Sequence, residues 1–344
     1  MMKKTIKINF KYFWEGFDKE KNLFSDLLKE EYNIIIDEDP DFLFYSIHTL
    51  KPLKNVEGIG KIIKKISPTV YINAKKLISK MYSLLKKRKK TNLKEDYVKI
   101  FIGAEHVKPN MEECDWAFSS YFEEEINHPR YFRHHPSIMF DFPYMEKVIP
   151  PIVKKINFEK IKKEKTKFCN FLYSQDVPAR NEFFKILNKY KKIDAPGRCM
   201  NNMPPIGNHD TPKKSRTSKD WIGPKLKFLK PYKFTIAFEN EAISGWVTEK
   251  LTHPMLVNSI PIYFGHESVG KEFNTKSFIN YNDFKNMDKF IEHIIKVDND
   301  DKLYKRYLEQ PWYNQKKIPK YTNKKNYSNR LKEIIELGLK VRKR

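Results

Sequence analysis

The 344 residues suffice for two domains of ordinary size, and 40% hydrophobic with 14% aromatic residues exclude a disordered chain. A formal net charge of +24 predicts attraction to anionic ligands and anionic membrane faces. Only 10 of the 67 basic residues are arginine, so this lysine excess argues only weakly for nucleic acid, and with no recognisable binding module no nucleic-acid partner is expected.

Residues 5–10 alternate as a strand, and residues 22–31 put Leu23, Phe24, Leu27 and Leu28 on one helical face. Between them, Phe13, Trp14 and Phe17 fall in a polar-flanked loop. Residues 32–36 and 42–45 read as strands separated by Asp37-Glu38-Asp39-Pro40-Asp41. Clustered carboxylates invite a metal, but Pro40 between two strands favours an ordinary solvated turn. Residues 72–90 combine an apolar stripe (Leu77, Ile78, Met81, Leu85) with the run Lys86-Lys87-Arg88-Lys89-Lys90. A surface helix docked on the domain is the plain reading; contact with an anionic membrane is the functional one. Gly58-Ile59-Gly60 is too short for a dinucleotide loop.

Residues 97–102 form the next expected strand, followed by Gly103, Ala104, Glu105 and His106. A carboxylate just past a strand end, after a permissive glycine, is well placed to face a cleft. Residues 115–119 are a further strand, and 130–135 carry Arg130, Arg133 and the adjacent His134-His135, whose spacing is not that of a helical metal pair. Residues 151–167, lysine-rich and opened by Pro150-Pro151, read as a linker. Cys114, Cys169 and Cys199 are far apart and form no CxxC, so neither a disulfide framework nor a zinc site is suggested. No apolar leader and no run of about 18 apolar residues occurs, which predicts a cytoplasmic protein, peripheral to the inner membrane face at most.

A second domain is expected from residue 168 to about 325, opening with a strand over 168–174 and a helix over 178–187 with Pro178 at its first turn. Its centre is the stretch 232–265. Phe234, Ile236 and Phe238 make a buried strand that ends at Glu239-Asn240, a loop follows, and Thr248 caps a helix containing Glu249 and Lys250. Residues 260–264 are a second buried strand. Such a unit presents polar groups at the carboxyl edge of a parallel sheet, beside a helix N-terminus suited to phosphate. Residues 273–280 read as strand-like, and 326–344 as a basic amphipathic helix.

The run FTIAFEN, then GWVTEK, then IPIYFG resembles the signature of the α1,3/1,4-fucosyltransferases that use GDP-fucose, over more than thirty residues with loop lengths intact. The resemblance implies a GT-B arrangement, two Rossmann-like α/β domains across a cleft, with residues 1–150 binding the acceptor and 168–325 the donor. It implies inverting transfer of L-fucose to a hydroxyl, O3 of N-acetylglucosamine in a glycan being the expected position. Glu105 inherits the role of catalytic base, with His106 as the neighbour that competes for it. Arg180 inherits a diphosphate contact, and Ser174, Asn240, Trp246, Glu249 and Lys250 fall with it around the donor. No metal is required in this scheme, though Mn or Mg could stimulate. Nearest among the rivals is a GT-B enzyme using another nucleotide sugar, and a basic nucleic-acid-binding protein is the distant one.

Overall fold

In a computed structural model, residues 3–14, 16–47, 97–103, 106–135, 156–206, 219–314 and 319–342 are described. Strand β1 (Lys4–Lys11) turns Ile6, Ile8 and Phe10 inward, while Lys7 points to solvent. Asn22 caps α1 (Leu23–Glu31) by accepting from the Phe24 and Ser25 amides, and the apolar face expected from the spacing is buried. Strands β2 (Tyr32–Ile36), β3 (Phe42–Tyr45), β4 (Val98–Ile102), β5 (Trp116–Ser119) and β6 (Tyr131–Arg133) follow, with the short α2 (Glu123–Ile126) before β6. All pair in parallel in the order β2-β1-β3-β4-β5-β6.

A second parallel sheet has the order β11-β10-β9-β7-β8. It comprises β7 (Lys167–Asn170), β8 (Ile193–Asp194), β9 (Tyr232–Phe238), β10 (Ile260–Phe264) and β11 (Ile279–Asn280). Its helices are α3 (Phe158–Glu164), α4 (Pro178–Asn188), α5 (Lys219–Leu229), α6 (Glu249–Leu256), α7 (Met287–Asn299) and α8 (Asp301–Glu309). Each sheet has its own apolar core, so the architecture is two parallel α/β domains, the arrangement the GT-B expectation requires. The cysteines are free and buried.

Four expectations need correction or comment. Residues 158–164 within the expected linker form α3, capped by Asn157, because Ile161 and Phe158 have a place in the second core despite the lysines around them. Residues 273–280 are not one strand: Asn274 caps a single 3-10 turn by accepting from the Lys276 amide, so β11 joins the sheet while Phe273 makes an isolated antiparallel bridge to Tyr313. The terminal helix α9 (Lys324–Arg342) packs Tyr327, Leu331, Ile334 and Ile335 into the core of the first domain, so most of its apolar stripe faces that core and Leu337 is left exposed. The segment 72–90 lies outside the described residues. Among the described residues no helix is long and apolar enough to cross a membrane.

The acidic run 37–41 is a turn held by the chain itself. Asp37 pairs with Lys7 at 2.9 Å, Glu38 with Lys11 at 3.4 Å, and Asp41 accepts from the Lys7 amide. Those lysines supply the counter-charge that clustered carboxylates need.

Candidate active site

In the second sheet the chain runs from β7 outward to β8 and then returns to β9 on the other side. The carboxyl ends of β7 and β9 therefore form a topological switch point, where ligands of open α/β sheets bind. Two side chains from separate segments meet there. Arg180, in the first turn of α4, is buried and lays its guanidinium 3.7 Å over the Tyr173 ring. It donates from Nη1 to Asn240 Oδ1 at 3.0 Å and from Nη2 to the Gln175 carbonyl at 2.6 Å. Tyr173 is itself fixed, accepting from the Phe238 amide at 2.7 Å. Nε of Arg180 is buried with no hydrogen-bond partner among the described residues, so one face of this cation retains a donor.

Beside them, the start of α6 is built on a buried carboxylate. Glu239, next in chain after β9, accepts from the Thr248 amide at 2.8 Å and from the Thr248 hydroxyl at 2.8 Å. Lys250 Nζ donates to the same carboxylate at 3.3 Å and to Thr248 Oγ1 at 3.1 Å. Thr248 is the helix cap expected from the sequence. Glu249 faces Lys225 Nζ at 3.7 Å. Burial pushes the Glu239 carboxyl up, against the pull of Lys250. Partial burial also acts to raise Glu249, but Lys250, Lys225 and His253 outweigh it and hold that carboxylate well below the usual range. Burial disfavours the Lys250 ammonium, and the two carboxylates overcome this and raise it. The result is a helix N-terminus whose charges are prearranged and cost little reorganisation when an anion arrives.

The loop between Glu239 and Thr248 is pinned from the other domain. Arg133, the last residue of β6, donates to both oxygens of Glu272, to the Ser120 carbonyl, and to the Gly245 carbonyl at 3.2 Å. Its guanidinium also lies 4.1 Å over the Phe122 ring, and Tyr321 donates to Glu272 Oε2 at 2.8 Å. Gly245 has φ +73, and a Cβ there would stand 2.3 Å from the Ser120 carbonyl oxygen. Only glycine fits both the backbone angle and the close approach. The next residue, Trp246, meets the ring of His106 edge-on at 5.7 Å between centroids. The carboxyl edge of the first sheet thus faces that of the second.

Among the expected donor residues, Arg180 and Asn240 touch, while Lys250 and Glu249 gather at one helix start a few residues from Trp246. Ser174 is exposed on the loop after β7, next to the Gln175 that Arg180 holds. Glu105 lies outside the described residues; its neighbours Gly103 and His106 stand at the end of β4 and against Trp246. Glu239, Tyr173 and the Arg133–Glu272 pair were not anticipated. The Glu-Asn pair after β9 marked a polar sheet edge, but burial of one carboxylate and exposure of its neighbour is a tertiary fact. For Arg133 the only signal was its place in an arginine-tyrosine-rich segment.

Two family models match the chain: glycosyltransferase family 10 (fucosyltransferase) C-term over residues 162–338, and the alpha-(1,3)-fucosyltransferase FucT N-terminal domain over 8–63. The alpha-(1,3)-fucosyltransferase FucT of Helicobacter pylori is 37% identical over 128 residues, 37% of this chain and 24% of that protein. Alpha-(1,3)-fucosyltransferase B of Drosophila melanogaster is 34% identical over 168 residues, 47% of this chain and 35% of that one. The matched stretches therefore span only a quarter to about a third of these relatives' own lengths. A crystal structure of an α1,3-fucosyltransferase with GDP superposes with a TM-score of 0.65 at 22% identity, covering 97% of this chain and 91% of the other.

Proposed function

The chain belongs to glycosyltransferase family 10, the fucosyltransferase family, and from that premise we propose that it moves L-fucose from GDP-fucose to a glycan hydroxyl with inversion. O3 of N-acetylglucosamine is the position assigned. The observation that carries this reading is the contact of buried Arg180 with Asn240 at the switch point, beside the prearranged start of α6. A diphosphate is the ligand that such a cationic, amide-rich edge suits best.

In this mechanism the acceptor hydroxyl attacks the anomeric carbon as Glu105 takes its proton. The bond from that carbon to the β-phosphate oxygen breaks, and GDP departs with the electron pair. Arg180, Lys250 and the α6 amides stabilise the charge that grows on the leaving oxygen, so the reaction needs no metal and Mn or Mg is at most stimulatory. Glu105 takes this role from the family resemblance; its neighbour in sequence, His106, reaches Trp246 across the domains. Trp246 and Glu249 complete the donor side, with Ser174 at its mouth. The place of action assigned is the cytoplasm, on glycans such as lipopolysaccharide, and membrane contact is by charge alone.

The test is mass-spectrometric product analysis with GDP-fucose, GDP-mannose and UDP-sugars against acceptors containing N-acetylglucosamine. Transfer from GDP-fucose alone supports the reading, and preference for another donor overturns it. Glu105→Gln keeps size and hydrogen bonding but removes basicity, so turnover should fall roughly 10²–10⁴-fold with GDP-fucose affinity retained. Near-native turnover in that variant removes the base from position 105.

A further inference from the structure

We propose that Arg133 is a positioning residue for fucosyl transfer: from the first domain it holds the Gly245–Trp246 peptide, and through it the Trp246 ring. The assignment rests on the fucosyl-transfer reading above. The first observation behind it is how the side chain divides its donors. A guanidinium carries five N–H groups in one rigid plane. Nε and Nη2 form a fork on Glu272, which is all that a structural ion pair needs. Nη1 goes to the Ser120 carbonyl within its own domain, and the second N–H of Nη2 crosses to the Gly245 carbonyl at 3.2 Å. The ion pair does not require that last bond.

The second observation is the state of the loop that receives it. Among the described residues, no amide of residues 240–244 donates to a backbone carbonyl. The loop is located at its far end instead. There the Gly245 amide donates to Ser268 Oγ at 3.0 Å, and the Gly245 carbonyl accepts from Arg133. That carbonyl and the Trp246 amide share one peptide plane, so fixing the first fixes where the Trp246 side chain starts. The Trp246 amide returns to the Ile243 carbonyl at 3.1 Å, and its ring ends against His106 of the first domain.

The third is the missing side chain. A Cβ at position 245 would stand 2.8 Å from Arg133 Nη1, besides its clash with the Ser120 carbonyl. The loop has a bare backbone at the point where the guanidinium must come close.

Together these let the first domain, the acceptor side in this reading, set where a donor-side aromatic stands. Two substrates held by separate domains must be aligned, and a displacement of about 1 Å can cost roughly 100-fold in rate. None of the Arg133 hydrogen bonds goes to Arg180, Lys250 or α6. Arg133 therefore aligns the donor side without adding to nucleotide affinity.

Two variants test this, with rates measured at saturating substrates and GDP affinity by calorimetry. Arg133→Lys keeps a cation for Glu272 but has one nitrogen in place of the fork, so it cannot span three partners. The double variant Arg133→Met with Glu272→Met removes the loop contact and leaves no buried charge. In both, kcat should fall roughly 10- to 100-fold with the Kd for GDP unchanged, and amide exchange over residues 240–248 should quicken in the absence of donor. As a control, Lys271→Ala breaks an exposed ion pair with Glu124 at 2.9 Å across the same seam; its kcat should stay within about twofold of wild type. A stable double variant with native turnover, a kcat loss matched in Lys271→Ala, or GDP affinity that falls with kcat each overturns the positioning role. Unchanged exchange over 240–248 also overturns it, with the parent reading intact. A wild-type enzyme that transfers no fucose overturns the parent reading, and the exchange measurement then still decides whether Arg133 holds the loop.

Discussion

Lys250 has two commitments, and they complicate any substitution there. The proposed function puts it at the donor, yet it also neutralises Glu239, which is buried. Lys250→Ala should weaken GDP binding and also leave a buried carboxylate without its cation, costing about 3 kcal/mol of stability. Adding Glu239→Gln removes the orphaned charge, so the double variant should regain stability without regaining GDP affinity. Calorimetric titration with GDP alongside thermal melts separates the two; if one recovers whenever the other does, Lys250 acts through the scaffold alone. His134 offers a pH test. Burial holds this imidazole down to about 3, from an ordinary 6.5, with its Nε2 3.4 Å from the Gly103 carbonyl. A depressed folded value means the unfolded chain binds the proton first. The stability involved is therefore complete above pH 6.5 and is lost as pH falls through 6.5 towards 3. His134→Gln should flatten that acid limb, by up to about 1.4 kcal/mol per pH unit, in melts taken from pH 7 to 4. An unchanged slope places the acid sensitivity elsewhere.

At the level of elements, the loop from Glu239 to Thr248 belongs to one domain and is shaped by the other. Arg133 holds Gly245, Glu272 and Ser120 at once, so contacts from the first domain add to those the loop makes within its own, such as the Gly245 amide to Ser268. Arg133→Met should cost about 3–5 kcal/mol because it strands buried Glu272, and most of that should return in Arg133→Met with Glu272→Met. Chemical denaturation measures both, and a double variant no more stable than the single rules out the pair as the source. The strand-helix-strand unit around α6 was legible before the fold because strand alternation, a Thr cap and a helix-spaced apolar face all act within thirty residues. The seam was not legible, since Arg133 and Glu272 are 139 positions apart and nothing local to either announces the other. The helix within the expected linker and the interrupted strand at 273–280 were both hidden by local composition. Lysine content hid Ile161, and an asparagine side chain diverted Thr275-Lys276-Ser277 into a turn.

Over the whole molecule, charge and apolar pattern point in different directions. The excess of lysine predicts affinity for anionic surfaces, while the one described helix that combined basic residues with a free-looking apolar stripe spends that stripe on the first core. Binding to anionic vesicles should therefore be electrostatic only. It should be present at low ionic strength and gone near ~0.5 M salt, where the screening length is only a few ångströms. Cosedimentation that survives such salt would require an apolar insertion from another segment. The two-domain plan was legible from length and from the alternation of strand and helix patterns. The place of the last helix was not, because an amphipathic period says that a face is buried and not against what.

That last helix also sets the order in which the molecule can be completed. The first domain begins at Lys4 but lacks a wall of its core until Tyr327, Leu331, Ile334 and Ile335 arrive. During synthesis, roughly 200 residues separate the end of its sheet from that wall. At ~5–20 residues per second this is a delay on the order of tens of seconds. The second domain, contiguous in the chain, emerges in that interval with its core complete. The nascent protein thus closes its middle before its beginning, and its earliest strands wait beside the ribosome with an apolar face part of which, among the described residues, the last helix covers.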